Sequence, residues 1–383
     1  MGEPFDGALV GQLARGRRGN FVVSPASVAL ALVLAREGAS GASAEQIDRA
    51  LGPDARASAA KLMSVLADFE ESLRQAQARA IPEIRQILPP LPLVIANRLF
   101  ADARFPLEPA YVDATARAYR AVPEALDFAH AAEPSRARIN AWVEATTHGR
   151  IQDLLAPGAI HALTRLVLVN AIYMKANWVT TFEPHRTAPA PFQIAGGARV
   201  DAQMMHGVPN ASYGEHAGAR CLDLPYQPRT PRLAMLVVVP DRAPLEQVEA
   251  AYAREGIAPF LAARQRHEPT ILSLPRFTVA LHADLMSELS AMGLRAPFSL
   301  SGDFAAISAA EPLGFGAVAH QAWIAVDEEG TEAAAATAMA FAGGGMPPPP
   351  KRTFDVDRSF LFFIHDDAGA VLFAGRVLDP TRE

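Results

Sequence analysis

An α+β fold is predicted for this chain by three observations. Apolar residues recur at helical spacing through most of residues 5–147. From Leu163 onward the apolar runs become short and β-branched, as in buried strands. Helices come first and strands later, the order of an α+β chain, in contrast to the alternation of a parallel α/β fold. A length of 383 residues, half of them hydrophobic, would allow two domains. No linker-like shift in composition divides the chain, so one domain over 1–383 is expected.

The elements follow in order. Residues 5–15 and 27–36 carry helix-spaced apolar positions, and Ser24-Pro25 marks the start of the second helix, since Pro suits the first helical turn. Residues 43–51 form a short helix with Ser43 as cap and Gln46 three residues on, a capping-box pattern. Residues 57–80 form a longer Ala-rich helix, Pro82–Pro92 a Pro-rich loop and Leu93–Phe100 a strand. Residues 109–119 and 135–147 are helical again. Strands are predicted at Leu166–Lys175, Ala219–Tyr226, Arg232–Val239, Thr270–Leu281, Ala317–Val326, Phe360–Asp366 and Val371–Val377, with short helices at 244–253, 256–263 and 283–292.

Composition excludes several functions. A net charge of −6 with both signs interspersed is not a nucleic-acid footprint. No run approaches the roughly 20 apolar residues that span a membrane. The single Cys221 rules out an internal disulfide and reads as a small buried apolar residue. The first twenty residues hold Glu3, Asp6, Arg15, Arg17 and Arg18 and no apolar stretch of signal-peptide length. As written the chain is expected to be cytoplasmic, or secreted or periplasmic if an export signal precedes it. Richness in Ala, Arg and Pro points to a GC-rich, bacterial genome.

Residues 326–341 carry the most information. The run begins acidic, passes Gly330 and becomes a long series of small residues, closed by Gly343–Gly345 and Pro347–Pro350. It alternates with period two. Thr331, Ala333, Ala335, Thr337, Met339 and Phe341 share one face, while Glu332, Ala334, Ala336, Ala338, Ala340 and Ala342 share the other. Small side chains let such a segment slide between two strands at little steric cost. The pattern predicts a loop that can become a buried strand.

This run resembles the hinge and reactive-centre loop of serpins, and the resemblance extends in order along nearly the whole chain. Its other carriers are Asn20-Phe-Val-Val-Ser-Pro-Ala-Ser27, Gly38-Ala-Ser-Gly41, Asp127-Phe128 with Ile139-Asn-Ala-Trp-Val143, Leu168 through Trp178, Leu274-Pro-Arg-Phe277, Asp357 through Ile364, and Leu372-Phe-Ala-Gly-Arg376. Departures from the family pattern are Ser43 for Thr, Met174 for Phe, Ala176 for Gly and Ser359 for Pro. The resemblance implies a serpin fold: N-terminal helices packed around three β-sheets, with a reactive-centre loop at about 328–352 able to insert into the central sheet. It also implies residue roles. Ser24, Ser27, Asn170 and His320 match the shutter, where the central sheet parts. Trp178, Arg276 and Glu328 match the breach, where insertion begins. Gly330, Thr331, Glu332, Ala333, Ala334, Ala335, Ala336 and Thr337 form the hinge.

The implied function is suicide-substrate inhibition of serine proteases, and of cysteine proteases as a second class. A monomer that traps its target protease as a covalent acyl-enzyme is expected, with no catalytic residue, cofactor or metal of its own. Spacing from Glu328 places the reactive bond at Gly344–Gly345, with Phe341 and Ala342 as alternative bait, so chymotrypsin-, elastase- or subtilisin-like targets are favoured. The alternative is a non-inhibitory serpin serving as carrier, chaperone or storage protein. Other chemistries find little support. His267-Glu268 has no second His at metalloprotease spacing, Gly343–Gly345 lacks the Lys-Ser/Thr of a phosphate loop, and no Gly-x-Ser-x-Gly elbow occurs. Lys61, Arg74, Arg79 and Arg85 are interleaved with Glu70, Glu71 and Glu83 and read as a solvated face.

Overall fold

The computed structural model describes residues 4–79, 93–147, 149–227, 232–265, 267–299, 302–310, 312–331, 350 and 352–382. The N-terminal part is α1 (Phe5–Gly16), β1 (Phe21–Val23), α2 (Pro25–Gly38), α3 (Gly41–Leu51), α4 (Ala55–Arg79), β2 (Leu93–Asp102), α5 (Pro109–Tyr119), β3 (Glu124–Leu126) and α6 (Ala132–Thr146). Then come β4 (Leu166–Met174), β5 (Ala176–Asn177), β6 (Ala188–Gln193), β7 (Arg199–Gly207), β8 (Asn210–His216), β9 (Ala219–Pro225) and β10 (Leu233–Pro240). The remainder is α7 (Leu245–Glu255), α8 (Ala258–Ala262), β11 (His267–Pro275), β12 (Phe277–Asp284), α9 (Met286–Ala291), β13 (Phe315–Val326), β14 (Gly330–Thr331), β15 (Arg352–Asp355), β16 (Phe360–Asp366) and β17 (Val371–Val377). No described helix is long and apolar enough to cross a membrane.

The strands hydrogen-bond in three groups, two of which share β11. The first sheet runs β3-β2-β4-β13-β14-β5, with β12 on the other edge of β13. A second group runs β1-β17-β16-β10-β9-β8 and reaches β11 at His267–Pro269. The third is built on the C-terminal half of β11, which pairs β7 and, in parallel, β15, with β6 outside β7. β4, β10, β16 and β17 are buried along their whole length, as their largely apolar sequences require.

α2 starts where Ser24 caps it. The Ser24 hydroxyl accepts from the Ser27 N–H (3.1 Å) and Pro25 occupies the first helical position. The helix is apolar nearly all round, so it is buried on both faces. Leu30, Val33 and Leu34 enter one core cluster, and Val28, Ala31 and Leu32 enter another. At about 1.5–3 kcal/mol per buried aliphatic side chain, this helix is held by burial, not by propensity. Its rigid seat fixes Ser24 and Ser27 against the first sheet.

Three expectations change. The helix predicted at 43–51 starts at Gly41, with Ser40 as cap residue. Ser43 and Gln46 do not form a capping box, because backbone N–H groups from a distant segment claim them. Ser43 Oγ accepts from Asp303 N (3.3 Å), and Gln46 Oε1 accepts from Arg295 N and Ala296 N (2.7 and 2.8 Å). Gly41 itself has φ +49°, and a Cβ there would sit 2.6 Å from Asp303 Oδ2. The strand predicted over Thr270–Leu281 breaks at Arg276 into β11 and β12, which belong to different sheets. β6, β7 and β8 lack a long apolar run and were not expected. β6 carries Pro189 and Pro191, which an edge strand tolerates. Cys221 is buried in β9, and burial pushes its thiol up to about 12, which leaves it an inert apolar side chain.

Candidate functional site

β4 and β13 run parallel and pair directly from Leu166–Phe315 to Tyr173–Trp323. Beyond that point they part. β12 occupies one edge of β13 from Ala319 to Val326, so the fork opens on the other edge. The chain leaves β13 at Val326, turns through Asp327–Gly330, and seats β14 in the fork. Thr331 pairs Val326 on one side and Ala176 on the other, both antiparallel. Asp327 makes the turn: its N–H donates to Gly330 O (2.9 Å), and its Oδ1 accepts from Glu329 N and Gly330 N (3.0 and 3.2 Å).

Gly330 fits only because it has no side chain. A Cβ there would lie 2.1 Å from Ala176 O and 2.7 Å from Asn177 Cα, both backbone atoms. Gly330→Ala is therefore expected to expel β14 from the fork. Amide exchange at Thr331 should rise by about tenfold or more, the equivalent of about 1.4 kcal/mol of local opening. Unchanged protection would show that the fork can widen.

Around the turn, three predicted residues converge. Arg276, placed where the chain switches from β11 to β12, donates through Nε to both oxygens of Glu328 (2.7 and 2.9 Å), with Nη2 2.6 Å from Oε1. The Thr187 hydroxyl also donates to Glu328. Burial raises the Glu328 carboxyl, but the Arg276 and Thr187 hydrogen bonds outweigh it and hold the group below its usual value. Asp327, one residue away, is pushed the other way by burial. Trp178 Nε1 donates to Asp327 O (3.0 Å), Trp178 N donates to Glu329 O (2.7 Å), and Phe182 N donates to Glu328 O (2.8 Å). The Trp178 ring stacks on Tyr226 at 4.4 Å and 13°. The Tyr226 hydroxyl, fully buried and pushed well up by that burial, shares a 2.6 Å hydrogen bond with Thr331 Oγ1.

A second cluster lies at the middle of the sheet. Asn97 on β2, Asn170 on β4 and His320 on β13 stand in one row, each opposite the next. Asn170 Nδ2 donates to Ser27 Oγ and to Asn97 Oδ1, and Asn97 Nδ2 donates to Ser27 O (3.2 Å). Ser24 N donates to His320 Nε2 (3.3 Å), so that nitrogen is bare and Nδ1 carries the proton it gives to Asn170 Oδ1. Ser24, Ser27, Asn170 and His320 are thus brought together, all with no exposed surface.

Burial pushes His320 down to about 3. An unfolded His titrates near 6.5. Between those values the unfolded chain binds the extra proton, so stability rises with pH across that window. The contribution is complete above about pH 6.5 and is lost as pH falls toward 3, at up to about 1.4 kcal/mol per unit. His320→Gln should flatten this slope in urea titrations between about pH 6 and 4. Parallel curves for the two proteins would remove His320 from the account.

A family model described as Serpin (serine protease inhibitor) matches residues 5–380. The chain belongs to the serpin family. It is 32% identical over 363 residues to Ipis-1 of Ixodes persulcatus, covering 94% of this chain and 92% of that protein. It is 32% identical over 372 residues to the leukocyte elastase inhibitor of Homo sapiens, covering 94% and 93%. Among solved structures, Serpin48 of Tenebrio molitor superposes with a TM-score of 0.79 at 26% identity, covering 98% of this chain and 96% of that one. Uncleaved ovalbumin superposes at 0.78 and 27%, covering 99% and 98%. The α+β serpin fold expected from the sequence is the one observed.

In this serpin, residues 328–331 of the expected loop are already engaged with the sheet, and Arg352 opens strand β15 at its other end. Glu332, Ala333, Ala334, Ala335, Ala336 and Thr337 of the hinge lie outside the described residues, as do the bait positions Phe341, Ala342, Gly344 and Gly345 and the basic residue Arg85. Arg74, on the helix face read as solvated, pairs with Glu71. Four contributors were missed by sequence reasoning: Asn97, Thr187, Tyr226 and Asp327. For Asn97 a signal existed, since a lone amide within the apolar run Leu93–Phe100 needs a buried partner.

Proposed function

We propose that this serpin is a suicide-substrate inhibitor of serine proteases, with cysteine proteases as a second target class. In this reading the whole chain acts as a single domain and a monomer. It contributes no catalytic group, while the protease supplies the chemistry. The protease nucleophile attacks the carbonyl of the bait residue, the peptide bond breaks, and the new amino terminus leaves with the C-terminal fragment. The acyl ester remains on the loop. Insertion of the loop into the first sheet then carries the protease away before water can hydrolyse that ester.

The observation that carries this reading is the fork. β4 and β13 are a direct parallel pair, and β14 already lies antiparallel to β13 at its open end. A strand extended from β14 would run back between them and replace one parallel ladder with two antiparallel ones. Continuing the β14 register places Thr337 in the row of His320 and Asn170. The only hydroxyl after Thr331 in the Ala-rich stretch 332–340 would then enter between the two polar groups that insertion must separate. Fourteen residues from Thr331 to Gly344 span roughly 45 Å when extended at ~3.3 Å per residue. That is long enough to move a tethered protease from one end of the sheet to the other.

We read Ser24, Ser27, Asn170 and His320 as the shutter that opens for the strand, and Trp178, Arg276 and Glu328 as the breach that holds the loop base until then. The reactive bond is placed at Gly344–Gly345 by spacing, with Phe341 and Ala342 as alternatives. Small or apolar bait favours chymotrypsin-, elastase- or subtilisin-like targets, in keeping with the name of the human leukocyte elastase inhibitor. Incubation with chymotrypsin, elastase and subtilisin, followed by denaturing gel electrophoresis, tests the proposal. A band at the summed mass, stable to SDS, is expected, and the mass of the released peptide locates the bond. Clean cleavage without that band, and no rise in melting temperature after cleavage, would mark a non-inhibitory carrier, chaperone or storage protein.

A further inference from the structure

Away from the first sheet, a buried ion pair spans three strands of the second group. Asp223 on β9 and His365 on β16 lie on either side of β10. The β10 residue opposite His365 is Ala234, small enough to let the imidazole reach across. The β16–β17 register shifts between Ile364 and His365, so the ring sits at an irregularity just before the turn that joins the two strands. Asp223 has no exposed surface and His365 only 3%.

Both ring nitrogens meet acceptors. His365 Nε2 lies 2.8 Å from Asp223 Oδ1, and Nδ1 lies 2.8 Å from Asp366 O. A carboxylate and a carbonyl only accept, so each bond needs an N–H, and a neutral imidazole has one. Burial raises the Asp223 carboxyl, but the His365 and Arg264 bonds outweigh it and hold the group ionised. Among the described residues the other charges come from three elements. Arg264, just past α8, donates Nη1 to Asp223. Arg232, just before β10, stands 3.8 Å from Asp223 and 3.7 Å from Asp367. Asp366 on β16 spends Oδ1 on Ala368 N and Ala370 N (2.9 and 2.8 Å). β17 places Val371 opposite the ring. Asp366 O also accepts from Gly369 N (3.1 Å), so the atom that His365 Nδ1 engages is one that closes the β16–β17 turn.

We propose that His365 is a proton-gated latch on the β16–β17 turn, which is tied to β9 while the ring carries two protons and loosens when it carries one. A neutral ring protonated on Nε2 keeps Asp223 and turns a lone pair on Asp366 O. One protonated on Nδ1 turns its lone pair on the carboxylate. Either tautomer loses one tie in a place that water does not reach. The tie therefore holds on the acid side of the ring's titration and is lost as pH rises through it. That is the reverse of His320, whose contribution is lost as pH falls. The latch is independent of the loop and of the inhibitory reading.

The test is nuclear magnetic resonance of the full chain, with nitrogen-15 in its histidine rings and backbone, titrated between about pH 5 and 8, the range in which histidine changes charge. Both nitrogens of His365 are expected to carry protons at the acid end. Loss of one should bring a fall of about tenfold in exchange protection at Gly369, after correction for base catalysis, as befits one buried hydrogen bond. His365→Gln keeps a donor for Asp223 but does not titrate, so its Gly369 should show no such step. Asp223→Asn keeps an acceptor and removes the charge, so the ring should lose its proton at lower pH. A bare ring nitrogen at the acid end, a ring titration that leaves Gly369 unmoved, the same step in His365→Gln, or an unshifted titration in Asp223→Asn would overturn the proposal.

Discussion

Under the proposed trapping mechanism, Thr331→Arg is expected to turn this serpin from an inhibitor into a substrate. Thr331 has no exposed surface and sits between Val326 and Ala176, with its hydroxyl on Tyr226. An Arg side chain cannot occupy that place without burying a guanidinium beside the Trp178–Tyr226 stack. Glu328, in the turn that leads to β14, already holds Arg276. An unpaired buried charge costs several kcal/mol, so β14 should leave the fork and entry of the strand should be blocked. On the proposed mechanism the outcome for the protease is a race between insertion and ester hydrolysis, and a change of about 1.4 kcal/mol in that race is about tenfold in partition. Cleavage at normal rate with complex reduced by at least about tenfold is expected on denaturing gels. Thr331→Val, which keeps shape and loses only the hydroxyl, should retain most trapping. An Arg variant that still forms the SDS-stable complex would show that the fork is not the entry point.

Asn170→Ala is expected to produce the largest loss of stability in the sheet. One amide holds three partners there: Ser27 Oγ, Asn97 Oδ1 and His320 Nδ1. Its deletion strands all of them out of reach of water, at about 1–3 kcal/mol each. Network coupling makes the sum non-additive, and about 3–5 kcal/mol is the expected total. Asn97→Ala, which removes one acceptor and one donor at the edge of the row, should cost about 1–2 kcal/mol. Urea midpoints at fixed pH measure both. Since His320 and Asn170 tie β13 to β4, the Ala variant should also open that seam and form polymers after mild heating, visible by gel filtration. A midpoint within about 0.5 kcal/mol of the parent would show that the row is not a structural tie.

Legibility followed the range of the interactions concerned. Ser24-Pro25 announced α2 because a cap and a first-turn Pro act within one turn of helix. The apolar run of β4 announced a strand buried on both faces. Ser43 with Gln46 misled, since the local capping box competes with backbone donors some 250 residues away, and only the folded chain shows which wins. Arg276 and Glu328 were nominated as a pair by family resemblance. Their bidentate geometry depends on a switch of sheets at Arg276 that a continuous apolar pattern over Thr270–Leu281 hid. Tyr226 reads as the end of a strand, and its hydroxyl gains a role only because the fold sets it against Thr331 Oγ1 while its ring stacks on Trp178.

By itself, the sequence determined the α+β class, the helices and buried strands with long one-period patterns, the alternation of small residues from Thr331 to Ala342, and the identity of the polar residues that must find partners. Those properties depend on neighbours within a few positions along the chain. The tertiary structure alone decided that β4 and β13 meet directly, that Gly330 and Thr331 already sit in the fork between β13 and β5, and that Asn97 completes the row of Asn170 and His320. Each of these is a register between segments far apart in sequence, set by which strands share an edge once the core has closed, and no local pattern encodes it.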